Sequence, residues 1–471
     1  MTRISFILFA AVVSIFSFQN CSGFKASSLD ASSNSGSSVN LPGQVANGDT
    51  QPLPATSGAP KVHQIRNGVE IANYDTLGAA FQRTHAFRTY EAGDVYELDA
   101  APYVGDQQQA WIGPLPKDDA DYNAGDAQWV APKDLIIRGR TQNGYRPVIK
   151  LDSTGASYNT YSQSILYIDK SINVTIENID FDGGGPTVPG PGKAGIYING
   201  AQGFTLRNSR VMNFTQANGV FSTGNNSGLI MFENVETGFN GGDSGPEHNY
   251  YMGESLTDPN HTILWRGCYS HDVYYGHTLK SRAQNNIVEA THLKGKKVSG
   301  QDQGEAYLAD FPNGGNVTFR NNILEKDYSG DNSNGIFFAY AMEGQHYPNA
   351  SSVTIVHNTF VAHSESFDSL GHLLSPMNFY YPPVLPTDPA FPIKAVVQAN
   401  SFAGFSVDPG YTGEMQRYRG DDAKVYPLSN FDVNLVSAAK DVSPNSSLGQ
   451  LQHSGVVGSS LRATSVYGGI D

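Results

Sequence analysis

A short phrase recurs through the middle of the chain, and it restricts the fold more than any other feature. It reads Val174-Thr-Ile-Glu-Asn178, Phe204-Thr-Leu-Arg-Asn208, Ile230-Met-Phe-Glu-Asn234, Ile263-Leu-Trp-Arg-Gly267, Val317-Thr-Phe-Arg-Asn321 and Val353-Thr-Ile-Val-His-Asn358. A weaker copy is Val396-Val-Gln-Ala-Asn400. Subtracting successive start positions gives spacings of 30, 26, 33, 54, 36 and 43 residues, and the 54 divides if a further copy begins at Ile287. Self-similarity with a strand, a polar Asn corner and a second strand per unit is the signature of a solenoid. Asn suits such a corner because it tolerates the left-handed backbone region and can bond the turn with its amide.

A second series interleaves with the first: Gly195-Ile-Tyr-Ile-Asn199, Gly219-Val-Phe-Ser-Thr223, Asn249-Tyr-Tyr-Met-Gly253, Gly276-His-Thr-Leu-Lys280, Ala306-Tyr-Leu-Ala-Asp310 and Gly335-Ile-Phe-Phe-Ala339. Each coil therefore carries at least two equivalent strands. Stacking by these alignments places Asn199, Thr223, Gly253, Lys280, Asp310 and Ala339 in one outward column. It places Tyr197, Phe221, Tyr251, Thr278, Leu308 and Phe337 in another. Alternation turns Ile196, Ile198, Val220, Leu279 and Ile336 inward. The fold expected is all-β: a single-stranded parallel β-helix over residues 61–430, followed by a C-terminal cap and tail over 431–471.

The ends are of a different character. Arg3 precedes the apolar run Ile4–Phe18, too short to span a bilayer and suited to a secretory leader. It ends in Ser17-Phe18-Gln19-Asn20-Cys21-Ser22. Residues 22–60 are rich in Ser, Gly and Asn and read as a disordered tether. Asp75–Tyr90 has helical periodicity with Asp75 as N-cap, and is expected to cap the first coil's open edge. Pro102–Pro132 reads as a loop around that cap. The long segments Gly238–Asn249, Lys294–Glu305 and Ser364–Pro392 are expected to wall a groove.

The chain has 30 Lys+Arg against 44 Asp+Glu, a formal charge of −14. That excludes nucleic acid as the main partner, because phosphate binding needs a basic surface. An anionic ligand would need a local basic patch or a bridging cation. Two cysteines, Cys21 and Cys268, give no disulfide framework.

These features together resemble the right-handed parallel β-helix proteins of the pectin-lyase-like superfamily. Within it the chain is similar to secreted bacterial proteins with a GHxLKSRA-type run, here Gly276–Ala283, and a DxPNGG-type run, here Asp310–Gly315. The leader resembles that of a bacterial lipoprotein, which implies lipidation at Cys21 and attachment to the outer membrane or cell surface. Asn20 stands where that pattern has a small residue, so cleavage by an ordinary signal peptidase, with periplasmic or secreted export, is the alternative. The superfamily includes lyases, hydrolases, epimerases and non-catalytic spikes, so the architecture does not name the chemistry.

The resemblance implies a lyase that removes a proton α to a uronate carboxylate, with a Lys or Arg base and Ca²⁺ or Arg as neutraliser. Strand alternation puts Lys280 and Arg282 on one face, and they suit the roles of base and neutraliser. Tyr251 or His248, one coil earlier, is the candidate proton donor to the leaving oxygen. Asp310, one coil later, is the candidate to orient Lys280 or hold Ca²⁺. His277, Asp310 and Asn313 complete the set as substrate-binding candidates, with His277 also in phase with inward Leu279 and Asn313-Gly314-Gly315 readable as a tight turn. His271 fits a groove rim or a corner. Lys294–Lys297 is a basic loop that could guide a polyanion. Trp111, Trp265 and the tyrosines could stack on sugars or on one another. The paired aspartates of polygalacturonases do not occur in the repeat, since Asp118-Asp119 and Asp421-Asp422 fall outside it. The expected activity is β-elimination on an acidic polysaccharide, with Lys280→Ala abolishing turnover and sparing the fold. The alternative is a non-catalytic glycan-binding or envelope protein.

Overall fold

The computed structural model describes residues 59–81, 90–116, 129–152, 164–186, 188, 192–242, 247–295, 307–326, 336–344, 346–347, 349–350, 352–362, 375–379, 394–403, 416–417 and 435–437. The leader with Cys21, nearly all of the tether, Lys296, Lys297, Asp118, Asp119, Asp421, Asp422 and most of Ser364–Pro392 lie outside the described residues. Within them more than half of the residues are in strands and almost none in helix, in long parallel sheets consistent with a parallel β-helix. No helix among them is long and apolar enough to cross a membrane.

One ladder holds ten strands in parallel: Ala110–Ile112, Ser164–Asp169, Ala194–Asn199, Asn218–Ser222, Tyr250–Met252, Leu279–Ser281, Tyr307–Phe311, Ile336–Tyr340, Ser375–Phe379 and Gln416–Arg417. The repeated phrases build a second ladder, and the residues just after each corner build a third. In one coil the path runs through Tyr250–Met252, Thr262–Arg266 and Tyr269–His271 before the next coil begins at Leu279–Ser281. Each coil thus has three strands. Thr262–Arg266 pairs with Asn285–Glu289, which pairs with Asn316–Arg320, so the long spacing does hold an extra coil.

The core follows from the alternation. Ile176, Leu206, Phe232, Trp265, Val288, Phe319, Ile355 and Val397 stand in register and are buried. Each such side chain contributes about 1.5–3 kcal/mol on burial. Trp265 belongs to this column, so it is not a sugar platform.

The corners combine two positions. Asn178, Asn208, Asn234 and Asn321 have positive φ, as the left-handed turn requires. The next residue points inward. There Asn322 Nδ2 donates to Asn358 Oδ1 and Asn358 Nδ2 to Asn400 Oδ1, each at 3.0 Å. Asn358 and Asn400 are therefore equivalent to Asn322 and not to Asn321. The last repeat starts at Ala395, which pairs with Val353, one residue before the expected Val396.

Three expectations need correction. The helix over Asp75–Tyr90 is, in its described part, the single turn Leu77–Ala80, capped by Thr76 Oγ1 accepting from Ala79 N at 3.0 Å, while residues 82–89 lie outside the described residues. No N-terminal capping helix is evident among the described residues. An antiparallel hairpin pairs part of the first coil's edge: Val62–Arg66 bonds both Val69–Tyr74 and Val95–Leu98, while among the described residues Ala110–Ile112 pairs on one side only and the turn Leu77–Ala80 packs beside it. Pro102–Pro132 is not one loop. Pro102–Val104 pairs with Val148–Lys150, and Ala110–Ile112 opens the ten-stranded ladder. Three-residue strands separated by Gly105 carry too little alternation to be read.

The third correction concerns register. Tyr251 pairs with Lys280, and Lys280 with Asp310. The outward column is Trp111, Tyr167, Tyr197, Phe221, Tyr251, Lys280, Asp310 and Ala339, whereas alignment by length set Gly253 beside Lys280 and Tyr251 beside Thr278. A slip of two residues keeps every side chain on its face and changes only its neighbours. The rings of His248, His277 and Tyr307 fix the true register, stacking at 4.7 and 4.8 Å with interplanar angles of 6°.

Candidate functional site

Alternation on Leu279–Ser281 turns Leu279 into the core and Lys280 outward, and Arg282 follows on the same face. Lys280 Nζ lies 3.6 Å from Asp310 Oδ2 and 3.3 Å from Glu343 Oε1. Arg282 pairs with Glu343 through Nη1 to Oε2 at 2.6 Å and Nη2 to Oε1 at 2.9 Å. Its Nε donates to Tyr251 Oη at 2.9 Å, and its Nη1 also donates to Asn313 Oδ1 at 2.8 Å. Two cations and two carboxylates thus meet above one strand pair. The side chains of Lys280 and Asp310 are only 7% and 3% exposed, and that of Glu343 is 27% exposed.

The histidines are fixed by backbone donors. His277 N–H donates to His248 Nδ1 at 2.9 Å, and Tyr307 N–H donates to His277 Nδ1 at 3.1 Å. A backbone N–H can only donate, so each Nδ1 keeps its lone pair and each neutral ring carries its proton on Nε2. His277 Nε2 lies 3.4 Å from Asp310 Oδ2. Burial, reinforced by the Lys280 and Arg282 charges, pushes both histidines well below the usual range. Gly276 makes this stack possible. Its φ is +111°, and a Cβ there would fall 2.1 Å from Glu247 O and 2.6 Å from His248 Nδ1.

The electrostatics reassign roles. Burial lowers the Lys280 pKa, but Asp310 and Glu343 outweigh it and hold the group above its ordinary value. The neighbouring Arg282 charge also lowers it, but the two carboxylates prevail, so Lys280 is not freed as a base. Burial pushes Asp310 up to about 6 despite Lys280. Its Oδ1 is buried with no hydrogen-bond partner among the described residues. Burial would raise Glu343 too, yet Lys280 and Arg282 hold it below the usual carboxylate range. At neutral pH the cluster therefore holds a fixed ammonium, a fixed guanidinium and the carboxylate of Glu343, beside an Asp310 carboxyl that titrates nearby.

Asp310 does not fit Ca²⁺. That ion takes 6–8 oxygen ligands, and Asp310 faces the Lys280 ammonium and the His277 ring. No group of three or more His, Cys, Asp or Glu suited to a metal occurs among the described residues.

Other candidates fall elsewhere. His271 is a buried member of the third ladder, bonded to Glu236 Oε1 at 3.2 Å and Asp272 Oδ2 at 2.8 Å. Lys294 pairs with Glu325 at 3.7 Å. Trp111, Tyr167 and Tyr197 stack on one another at 6.4 and 4.8 Å. Phe221 and Tyr251 stack at 5.2 Å with 3° between planes, while Lys280 Nζ lies 6.0 Å from the Tyr251 centroid. Those ring faces are occupied by neighbours, so the column offers edges to a sugar and few faces.

Sequence reading missed Glu343 and its turn. The turn lies directly over the Asn313 turn: Ala341 N donates to Phe311 O, Glu343 N to Pro312 O and His346 N to Asn313 O. Carrying the strand columns onward into the turns would have brought Glu343 over the Asp310–Asn313 run. His346 then reaches Glu254 Oε1 at 2.9 Å, and Tyr347 Oη donates to Arg282 O at 2.8 Å.

A scan of protein-family models finds none that matches this chain, and a search of curated proteins finds no match either.

Proposed function

We propose that the chain is a right-handed β-helix enzyme of the pectin-lyase-like type, exported and held at a membrane through Cys21, that cleaves an acidic, uronate-containing polysaccharide by β-elimination. One observation carries the reading: two fixed cations, a hydroxyl aimed by one of them and a buried carboxyl of raised pKa converge on a single outer face. Arg282 and Lys280 would neutralise the uronate carboxylate, where charge builds in the transition state. Asp310 replaces Lys280 as the group that accepts the proton α to that carboxylate, since a base works best with a pKa near the working pH. The electron pair left behind forms the ring double bond as the glycosidic C–O bond breaks. Tyr251 Oη accepts from Arg282, so its own proton is available to the departing oxygen.

The two cations and two carboxylates also balance one another, which favours a second reading, a glycan-binding wall without chemistry. Both are tested by one panel of alginate, pectate and glycosaminoglycans, with and without Ca²⁺. The lyase reading requires the absorbance of an unsaturated uronate with at least one polymer. Binding without absorbance or new reducing ends would leave the second.

A further inference from the structure

The placement of Glu343 bears on how an acid could enter. Its two oxygens receive two parallel N–H bonds from Arg282 at 2.6 and 2.9 Å, and Lys280 Nζ adds a third contact at 3.3 Å. Paired parallel donors are the geometry by which arginine recognises a carboxylate of any origin. The cations do not depend on Glu343 for their position. Arg282 is held by Tyr251 and Asn313 through its guanidinium, and Tyr347 bonds its carbonyl. Lys280 is held by Asp310 from the adjoining strand. Glu343 comes from the turn Ala341–Gly344, outside any strand, and is the more exposed carboxylate of the two. Without it, the two cations would face Asp310 alone, and an incoming anion would restore the balance.

We propose that Lys280 and Arg282, the latter positioned by Asn313, form a preorganised receptor for the carboxylate of an acidic sugar, and that Glu343 is an internal stand-in which the ligand displaces. This rests on the acidic-saccharide reading above and adds to it a gate. Displacement uncovers Lys280 and the Asp310 carboxyl beneath it. The stand-in also lowers apparent affinity by the fraction of time it occupies the receptor.

The test is calorimetric titration of sodium glucuronate, with glucose as the neutral control, into the wild type, Glu343→Ala and Glu343→Gln. Removing the stand-in is expected to tighten glucuronate binding about 10- to 100-fold, as for a receptor that was 90–99% occupied. Glucose binding should not change, and Arg282→Ala in the Glu343→Gln background should return glucuronate to the wild-type value. Equal glucuronate affinity in wild type and both variants would overturn the proposal. If a variant folds poorly, glucuronate should restore its melting transition and glucose should not; a transition restored by neither also overturns it. The readout needs no turnover. A gain in binding with no polymer cleaved retains the receptor and removes the lyase, and cleavage with no gain does the reverse.

Discussion

Two columns of charge run up this molecule, and they are built on opposite principles. On the second ladder Glu97, Arg138, Glu177, Arg207, Glu233, Arg266, Glu289 and Arg320 pair coil to coil with strictly alternating sign. Its arginines are about half exposed, Arg207 at 43%. On the ten-stranded ladder the outward column is aromatic from Trp111 to Tyr251, then turns at one step to Lys280 and Asp310, both nearly inaccessible. In the first column each charge finds an ion-pair partner in an adjoining coil, and Arg266 and Glu289 find one on both sides. The second cannot do so within the sheet: Lys280 finds Tyr251 on one side and needs Asp310, a turn and Glu343 to complete it. Buried charge at that cost is weak evidence for stability and better evidence for use.

The contrast can be broken in several ways. The largest effect is expected from Lys280→Ala. Removing a buried cation leaves Asp310 without its ammonium partner while Glu343 keeps Arg282, which costs about 3–5 kcal/mol, read as a shift of the urea midpoint. Its burial therefore replaces the expectation that this substitution would spare the fold. Next is pH. The Asp310 pKa stands at about 6 against an ordinary 3.8. A raised carboxyl favours the folded state below the unfolded pKa, and that contribution is lost as pH rises through about 6. The loss is on the order of 3 kcal/mol, and it should vanish in Asp310→Asn. His271 gives an independent window. Burial lowers its pKa, but Asp272 and Glu236 outweigh that and raise it to about 9. Its contribution is full below about 6.5 and disappears as pH climbs through about 9, an effect absent from His271→Gln.

A smaller effect is expected in the interior. Asn358→Ala leaves the Asn322 amide and the Phe319 carbonyl without a partner, at about 1–3 kcal/mol. The smallest belongs to the alternating column. Arg207→Ala should cost less than about 1 kcal/mol, and less again at high salt. An Arg207 loss as large as that at Lys280 would erase the distinction between the columns.

Much of this was legible in the chain. The repeated phrases located the second ladder, and their fourth residues, Glu177, Arg207, Glu233, Arg266 and Arg320, already spell part of the alternating column. Alternation alone put Lys280 and Arg282 outward and Leu279 inward. Equal spacing of Gly276 and Ala306 brought Lys280 to Asp310. What failed was whatever depends on a corner. The His248–His277 ring stack, which accompanies the shift of register by two, lies just ahead of the strands and leaves no periodic trace. The same holds for Glu343, supplied by a turn, and for the slip between Asn321 and Asn322, where one residue faces out and the next in. Strand faces obey a period of two; corners obey local stereochemistry and the coil beneath.

The most direct test compares one arginine from each column, Arg282→Ala and Arg207→Ala, in initial rates of unsaturated-uronate formation on whichever polyuronate responds. Loss of a fixed donor to the developing charge should cost Arg282→Ala about 100-fold or more, while Arg207→Ala keeps the wild-type rate. Equal rates in the two variants would contradict the assignment of the site to the Lys280 face.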